Sequence, residues 1–251
     1  MKEFYIGYLP GAPAGIATRI RWTVLALLAA TAASALLFAE VQRTFAPSAF
    51  DFGKSRTFRG TIEAHPYPVL VVPRPGNPGN QARYSRYLLV GGGKHGAEEQ
   101  VANYDGKSVR LEGTLIYRGG QTMLELVRGP ISPTEVATAL TQPREDLGQF
   151  ELVGEIADSK CNFGVMNPAS GKVHRDCAVR CLSGGIPPAF VVAEFRGAPA
   201  VFLLTDANGT ALSKEAFLEK VAQPVRIKGR PEKAGDSLFF EITPTAITPL
   251  P

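Results

Sequence analysis

The stretches "VRLEGTLIYRGGQTMLELV" (residues 109–127) and "VRIKGRPEKAGDSLFFEIT" (residues 225–243) decide the fold. Each opens with Val-Arg, an aliphatic residue, a charged residue and Gly. Each passes through a turn signal, Gly119-Gly120 or Gly235-Asp236, into an alternating apolar run. That pattern predicts a β-hairpin in both places. Upstream, "FRGTIEAHPYPVLVV" (residues 58–72) and "LVGEIADSKCNFGVM" (residues 152–166) match as well: each enters a strand through Gly-x-Ile. The chain therefore carries one β unit twice.

Strands at this spacing, closed by paired hairpins, predict two small β-barrels in tandem, and they resemble OB-folds. The expected layout is a tail at 1–21, a membrane helix at 22–41 and a linker at 42–54. A first OB-like domain follows at 55–129, a second linker at 130–149 and a second OB-like domain at 150–251. "SKEAFLEKVAQ" (residues 213–223) predicts a short helix capped by Ser213, with Phe217, Leu218 and Val221 on its apolar face. In the first unit "HGAEEQVANYDGK" (residues 95–107) takes the equivalent place. Proline-bounded residues 128–149 join the units and suggest one helical turn at 134–140. Residues 72–87, rich in Pro, Gly and Arg, predict a long basic loop.

"WTVLALLAATAASALLFA" (residues 22–39) lacks any charge and lies between Arg19 and Arg21 on one side and Glu40 on the other. At about 1.5 Å per residue it nearly spans a hydrocarbon core of about 30 Å. The reading is an uncleaved anchor with Trp22 at the interface. The alternative is a signal peptide cleaved after "ASA", against which the long preceding segment counts. Lys2, Arg19 and Arg21 before the span nearly balance Arg43, Lys54, Arg56 and Arg59 after it. The arginines at the start and the acid at the end favour an inside N-terminus. The C-terminal domains would then be periplasmic, on a single-pass inner-membrane protein. Small residues Ala26, Ala30 and Ser34 form a face suited to close helix packing. Phe4, Tyr5 and Tyr8 precede it. Together they point to a membrane-protein partner through helix 22–39.

The 27 basic and 23 acidic residues are dispersed, and the net charge of +4 gives no reason to expect nucleic acid. All three cysteines fall in one cluster, at Cys161, Cys177 and Cys181, and His174 lies among them. H-x2-C-x3-C places three donors on neighbouring faces of a turn or helix, with Cys161 arriving from a strand end. Cys3His is a closed tetrahedral zinc shell. Lys160, Arg175 and Arg180 would help hold the thiolates' charge. A disulfide with a spare thiol is the alternative, Cys161 being the easier partner. Copper is a further one: C-x3-C is the spacing of binuclear copper centres and copper chaperones, with Met166 within reach. The downstream histidine of that motif is missing from "CLSGGIPP". His65 and His95 read as surface histidines. Asp158 and Asp176 read as caps or solvated turn residues.

The pattern Asp158, Cys161, His174, Cys177, Ala178, Cys181, Gly185, Pro187 resembles that of a group of exported or membrane-anchored bacterial OB-like domains of uncharacterised role. The resemblance covers the second barrel. It implies a shared site and supplies no reaction. "SGGIPPAFVV" should then turn into a buried strand with "PAVFLLTD" as its hairpin partner. No G-x-S-x-G, P-loop, dinucleotide fingerprint, H-E-x-x-H or haem-attachment motif occurs. An enzyme acting alone is therefore not expected. The expected role is an anchored accessory or electron-transfer subunit of a membrane complex. It would hold one metal ion, zinc before copper or an iron-containing redox centre. The alternatives are a copper metallochaperone and a binding module stapled by zinc.

Overall fold

The computed structural model describes residues 11–43, 48–74, 84–127, 129–134 and 144–250. The chain divides into two compact units, Met1–Ala46 and Pro47–Pro251.

Among the described residues the first unit is one helix, α1 (Ala14–Arg43). It starts earlier than the uncharged stretch because Pro13 can occupy a helix entry and the Ala17 amide closes the first turn on the Pro13 carbonyl. Residues 14–41 are long and apolar enough to cross a membrane. That composition fits a single-pass anchor, and a signal sequence passes the same test. Phe4, Tyr5 and Tyr8 lie outside the described residues.

The second unit is mainly β and holds two closed five-stranded barrels. In the first, β1 (Ser48–Glu63), β2 (Val69–Pro73), β3 (Tyr84–Val90), β4 (Ser108–Arg118) and β5 (Gln121–Leu126) run in the order β1-β2-β3-β5-β4, and β4 returns to β1. Two short strands follow, β6 (Ser132–Pro133) on β4 and β7 (Glu145–Asp146) on β11 (Pro224–Ala234). The second barrel repeats the scheme with β8 (Phe150–Asp158), β9 (Pro188–Phe195), β10 (Ala198–Thr205), β11 and β12 (Ser237–Glu241). A last strand, β13 (Ile247–Pro249), also pairs with β11. In both barrels the third and fifth strands pair parallel while the other neighbours run antiparallel. This is the OB-like arrangement that the repeated hairpins predict.

The alternation explains the hairpins. Val109 and Leu111 point inward while Arg110 and Glu112 face water; Val225 and Ile227 repeat this with Arg226 and Lys228. The first core is aliphatic, built on Ile62, Leu70, Leu89 and Leu124. The second is aromatic, built on Phe190, Phe202, Phe217 and Phe240. A third cluster joins the barrels: Tyr67, Val69, Ile116 and Met123 pack with Phe163, Leu203, Phe239 and two of the cysteines, Cys161 and Cys181. Tyr67 ties the junction further, its hydroxyl donating to the Leu204 carbonyl at 2.5 Å and accepting from the Leu212 amide at 3.3 Å.

Local expectations change in three places. β1 already begins at Ser48, within the stretch read as a linker, because Ser48–Phe50 add to the end of β4. Residues 72–73 and 84–87 are strand, which shortens the basic loop. Residues 213–223 form two 3₁₀ turns, Lys214–Ala216 and Leu218–Lys220, rather than one helix. Phe217 leaves helical geometry to enter the core, and the Ser213 hydroxyl bonds the Glu215 carboxylate instead of capping the backbone. The equivalent segment of the first barrel is a short helix, α2 (Glu98–Val101), and a 3₁₀ turn. The helical turn expected at 134–140 lies almost wholly outside the described residues.

Candidate metal centre

The site grows on the connection between β8 and β9. β8 ends at Asp158, which is fully buried. Its carboxylate accepts the Cys161 amide at 2.8 Å and so starts a wide helical turn, Cys161–Val165, closed by the Met166 amide on the Cys161 carbonyl. Gly164 makes that turn fit. Its φ of +154° suits glycine, and a Cβ there would lie 2.9 Å from the carbonyl oxygens of Ala49 and Tyr117 on the first barrel. The chain then turns through Lys172–His174 into α3 (Arg175–Ser183).

Cys177 and Cys181 are one turn apart on α3, so both side chains lie on one face. The sulfurs of Cys161, Cys177 and Cys181 all lie within 4.8 Å of one another. Asp158, Cys161 and His174 form a second group of the same tightness, sharing Cys161. His174 is buried, and its Nε2 sits 2.9 Å from the Asp158 carboxylate. The structure thus gathers the three cysteines together and places His174 beside Cys161 and Asp158, in a group that does not include Cys177 and Cys181. All three cysteines are free thiols; Cys161 and Cys181 are buried and Cys177 is half-buried. These donors make a Cys/His/Asp cluster that can hold a metal ion.

The charge partner comes from the other barrel. Lys94, in "GGGKHG" (residues 91–96) after β3, places its Nζ 2.9 Å from the Cys177 sulfur and 3.5 Å from that of Cys181. Lys160, expected beside the thiolates, points the opposite way. It donates to the carbonyls of Gly91 at 2.9 Å and Gly93 at 2.7 Å and pairs with Glu125. Arg175 instead reaches the Glu219 carbonyl, and Arg180 is exposed. The Gly96 amide donates to the Gly184 carbonyl at 2.9 Å, and a side chain at Gly184 would overlap the Lys94 carbonyl. Beside this contact lies an open cavity of about 630 Å³, lined in part by Gly92, His95, Glu98, Gly185 and Lys214.

The thiols are electrostatically unequal. The Cys161 S–H donates to Cys181, and this bond, aided by Lys94 against the opposing effects of burial and Asp158, lowers Cys181 to about 7. The same bond, with burial and the Asp158 charge, pushes Cys161 far above the ordinary thiol range. Lys94 is raised, chiefly by its contact with Cys177. The arrangement favours a thiolate at Cys181 and a proton at Cys161 until a cation displaces it.

Sequence reasoning missed Lys94, and it read Asp158 as a cap or a solvated turn residue. Asp158 is a cap, and its second oxygen holds His174. His65 and His95 are exposed, as expected of surface histidines. Comparison of the chain with protein-family models, with curated proteins and with solved structures finds no match. The fold and site define a tandem-barrel protein with a thiol-rich cluster able to take a metal, preceded by one apolar helix.

Proposed function

We propose that this protein is a membrane-anchored accessory subunit that carries one zinc ion at the junction of its barrels, outside the cytoplasm. The carrying observation is the grouping of three sulfurs within 4.8 Å of one another, two of them walled into a shared core. Cys161, Cys177 and Cys181 would supply thiolates and His174 an imidazole nitrogen, the donor set of a closed tetrahedral zinc site. Asp158 would then orient His174 from behind: with Nε2 bonded to the carboxylate, Nδ1 is left to ligate. Nothing in the motif inventory supports an enzyme acting alone. The small-residue face on α1 supports docking against another membrane protein.

One observation favours a second reading. The three sulfurs form a group of their own, and soft thiolates select Cu(I). A half-buried Cys177 would give such an ion a way in and out, as a chaperone needs.

Elemental analysis and visible absorption of the full chain, purified in mild detergent without chelator, decide among these. One zinc per chain and no colour is the expected result. A visible chromophore would move the protein to electron transfer, and exchangeable Cu(I) to metal delivery. No bound metal, with none taken up on addition, would end the proposal.

A further inference from the structure

We infer that the metal site is completed across the barrel junction: Lys94 of the first barrel is its positioning residue, donating N–H bonds to the sulfurs of Cys177 and Cys181. The inference rests on the metal reading above and adds a partner to it.

Three observations carry it. First, Lys94 approaches two sulfurs at once, at 2.9 and 3.5 Å, from a residue more than 80 positions away in the chain. A solvated lysine has no reason to point at a thiol pair, whereas an ammonium beside thiolates makes charge-assisted bonds. Second, the loop that carries it is held from the opposite side. Lys160, which immediately precedes Cys161, donates to the carbonyls of Gly91 and Gly93. Each barrel thus extends one lysine into the other, and the two anchor the same loop at alternate residues. Third, the loop has no room to retreat, since Gly96 is hydrogen-bonded to Gly184 and Gly184 lies against the Lys94 carbonyl. Backbone contact this close fixes the height at which Lys94 leaves the loop.

The chemistry follows from charge. Three thiolates around a divalent cation leave one net negative charge, beside the buried Asp158 carboxylate, and a fixed ammonium offsets it. N–H bonds to a ligating sulfur also draw electron density from it and weaken its donation to the metal. Outer partners of this kind are worth about 10- to 100-fold in metal affinity. A first barrel without a single cysteine thereby becomes part of the centre.

The test loads the full-length wild type, Lys94→Met and Lys94→Arg with Co2+ and compares the sulfur-to-cobalt charge-transfer band. Zn2+ affinity is measured alongside by chelator competition. Lys94→Met should shift the band to longer wavelength, because the sulfurs regain donor strength, and should weaken Zn2+ binding about 10- to 100-fold, because the uncompensated negative charge of the site outweighs that regained donation. Lys94→Arg should restore most of both. Lys214→Met removes a lysine that bonds the Ser183 carbonyl nearby and should change neither. If the wild type shows the band and Lys94→Met leaves band and affinity unchanged, the inference is overturned while the metal site stands. If the wild type shows no thiolate–cobalt band, the metal reading fails and the inference falls with it.

Discussion

The two barrels share a strand order and differ in what they place between their first two strands. In the first barrel β1 and β2 are joined by residues 64–68; in the second, β8 and β9 are joined by residues 159–187. Everything soft and titratable in the site sits in that longer connection or at its root. The first barrel keeps the short turn, and its contribution comes from the link after β3, residues 91–107, which carries Lys94 and is about as long as residues 206–223 after β10. A duplicated scaffold has therefore specialised by loop, one copy holding the ligands and the other a cation facing them. The cores differ too, aliphatic in the first and aromatic in the second, with Phe190, Phe202 and Phe240 stacked or tilted at centroid separations of 5.4 to 5.7 Å. The barrels are nonetheless not independent beads, because a third cluster takes residues from both.

The largest asymmetry to break is at Cys161, which belongs to both donor groups. Cys161→Ala should lower metal affinity by more than about 100-fold, beyond the loss expected for an outer partner. His65→Ala in the corresponding short turn of the first barrel should leave it unchanged. Equal effects of the two, read by chelator competition, would show that the long connection is not what distinguishes the barrels.

Asp158 comes next. It has no exposed surface, accepts the Cys161 amide and holds His174. Asp158→Ala leaves buried polar groups without partners and should cost about 3 kcal/mol in the metal-free protein, measured by urea unfolding. In the first barrel Asp51, on β1, pairs with Arg56 at the surface, the arginine side chain being more than half exposed. Asp51→Ala should cost about 1 kcal/mol or less. A loss at Asp158 no larger than that would mean the buried carboxylate is a turn cap and nothing more.

The strands were legible because period two, paired turn signals and a repeated Val-Arg opening are local properties. The tandem arrangement followed from the resemblance of one half to the other. The cysteines were legible as a cluster because Cys177 and Cys181 occupy one helical face at fixed spacing. Lys94 was not, since nothing local distinguishes a lysine in a glycine-rich loop; its partner lies on another barrel, and the Gly96–Gly184 contact and the Lys160 bonds to Gly91 and Gly93 bring them together. Phe217 failed for the same kind of reason. Its neighbours spell a helix, and the pull of the core on one aromatic ring outweighs that propensity. The shared core was hidden as well, because an inward-facing residue and a residue facing a second barrel look alike in sequence.

The smallest effect sharpens the comparison at that shared core. Tyr67 lies in the first barrel's short turn, and burial pushes its phenol well above the usual range. Its hydroxyl bonds reach Leu204 and Leu212 of the second barrel. Tyr67→Phe keeps the ring and removes those bonds, at about 1 kcal/mol. For a chain of this size that is a fall of about 2–4 °C in the unfolding midpoint. The sign of the pH dependence is fixed by the raised pKa. The phenol stays neutral in the folded protein but ionises in the unfolded chain above about pH 10. Its stabilising contribution is therefore complete below that pH and declines as pH rises through the folded value. Wild type should lose stability in this window more steeply than Tyr67→Phe, and their difference should narrow. In both proteins the barrels should unfold in one transition, because the cluster around Tyr67 belongs to neither alone. Two separated transitions in the wild type, or parallel pH profiles for the two proteins, would show that the barrels meet without depending on each other.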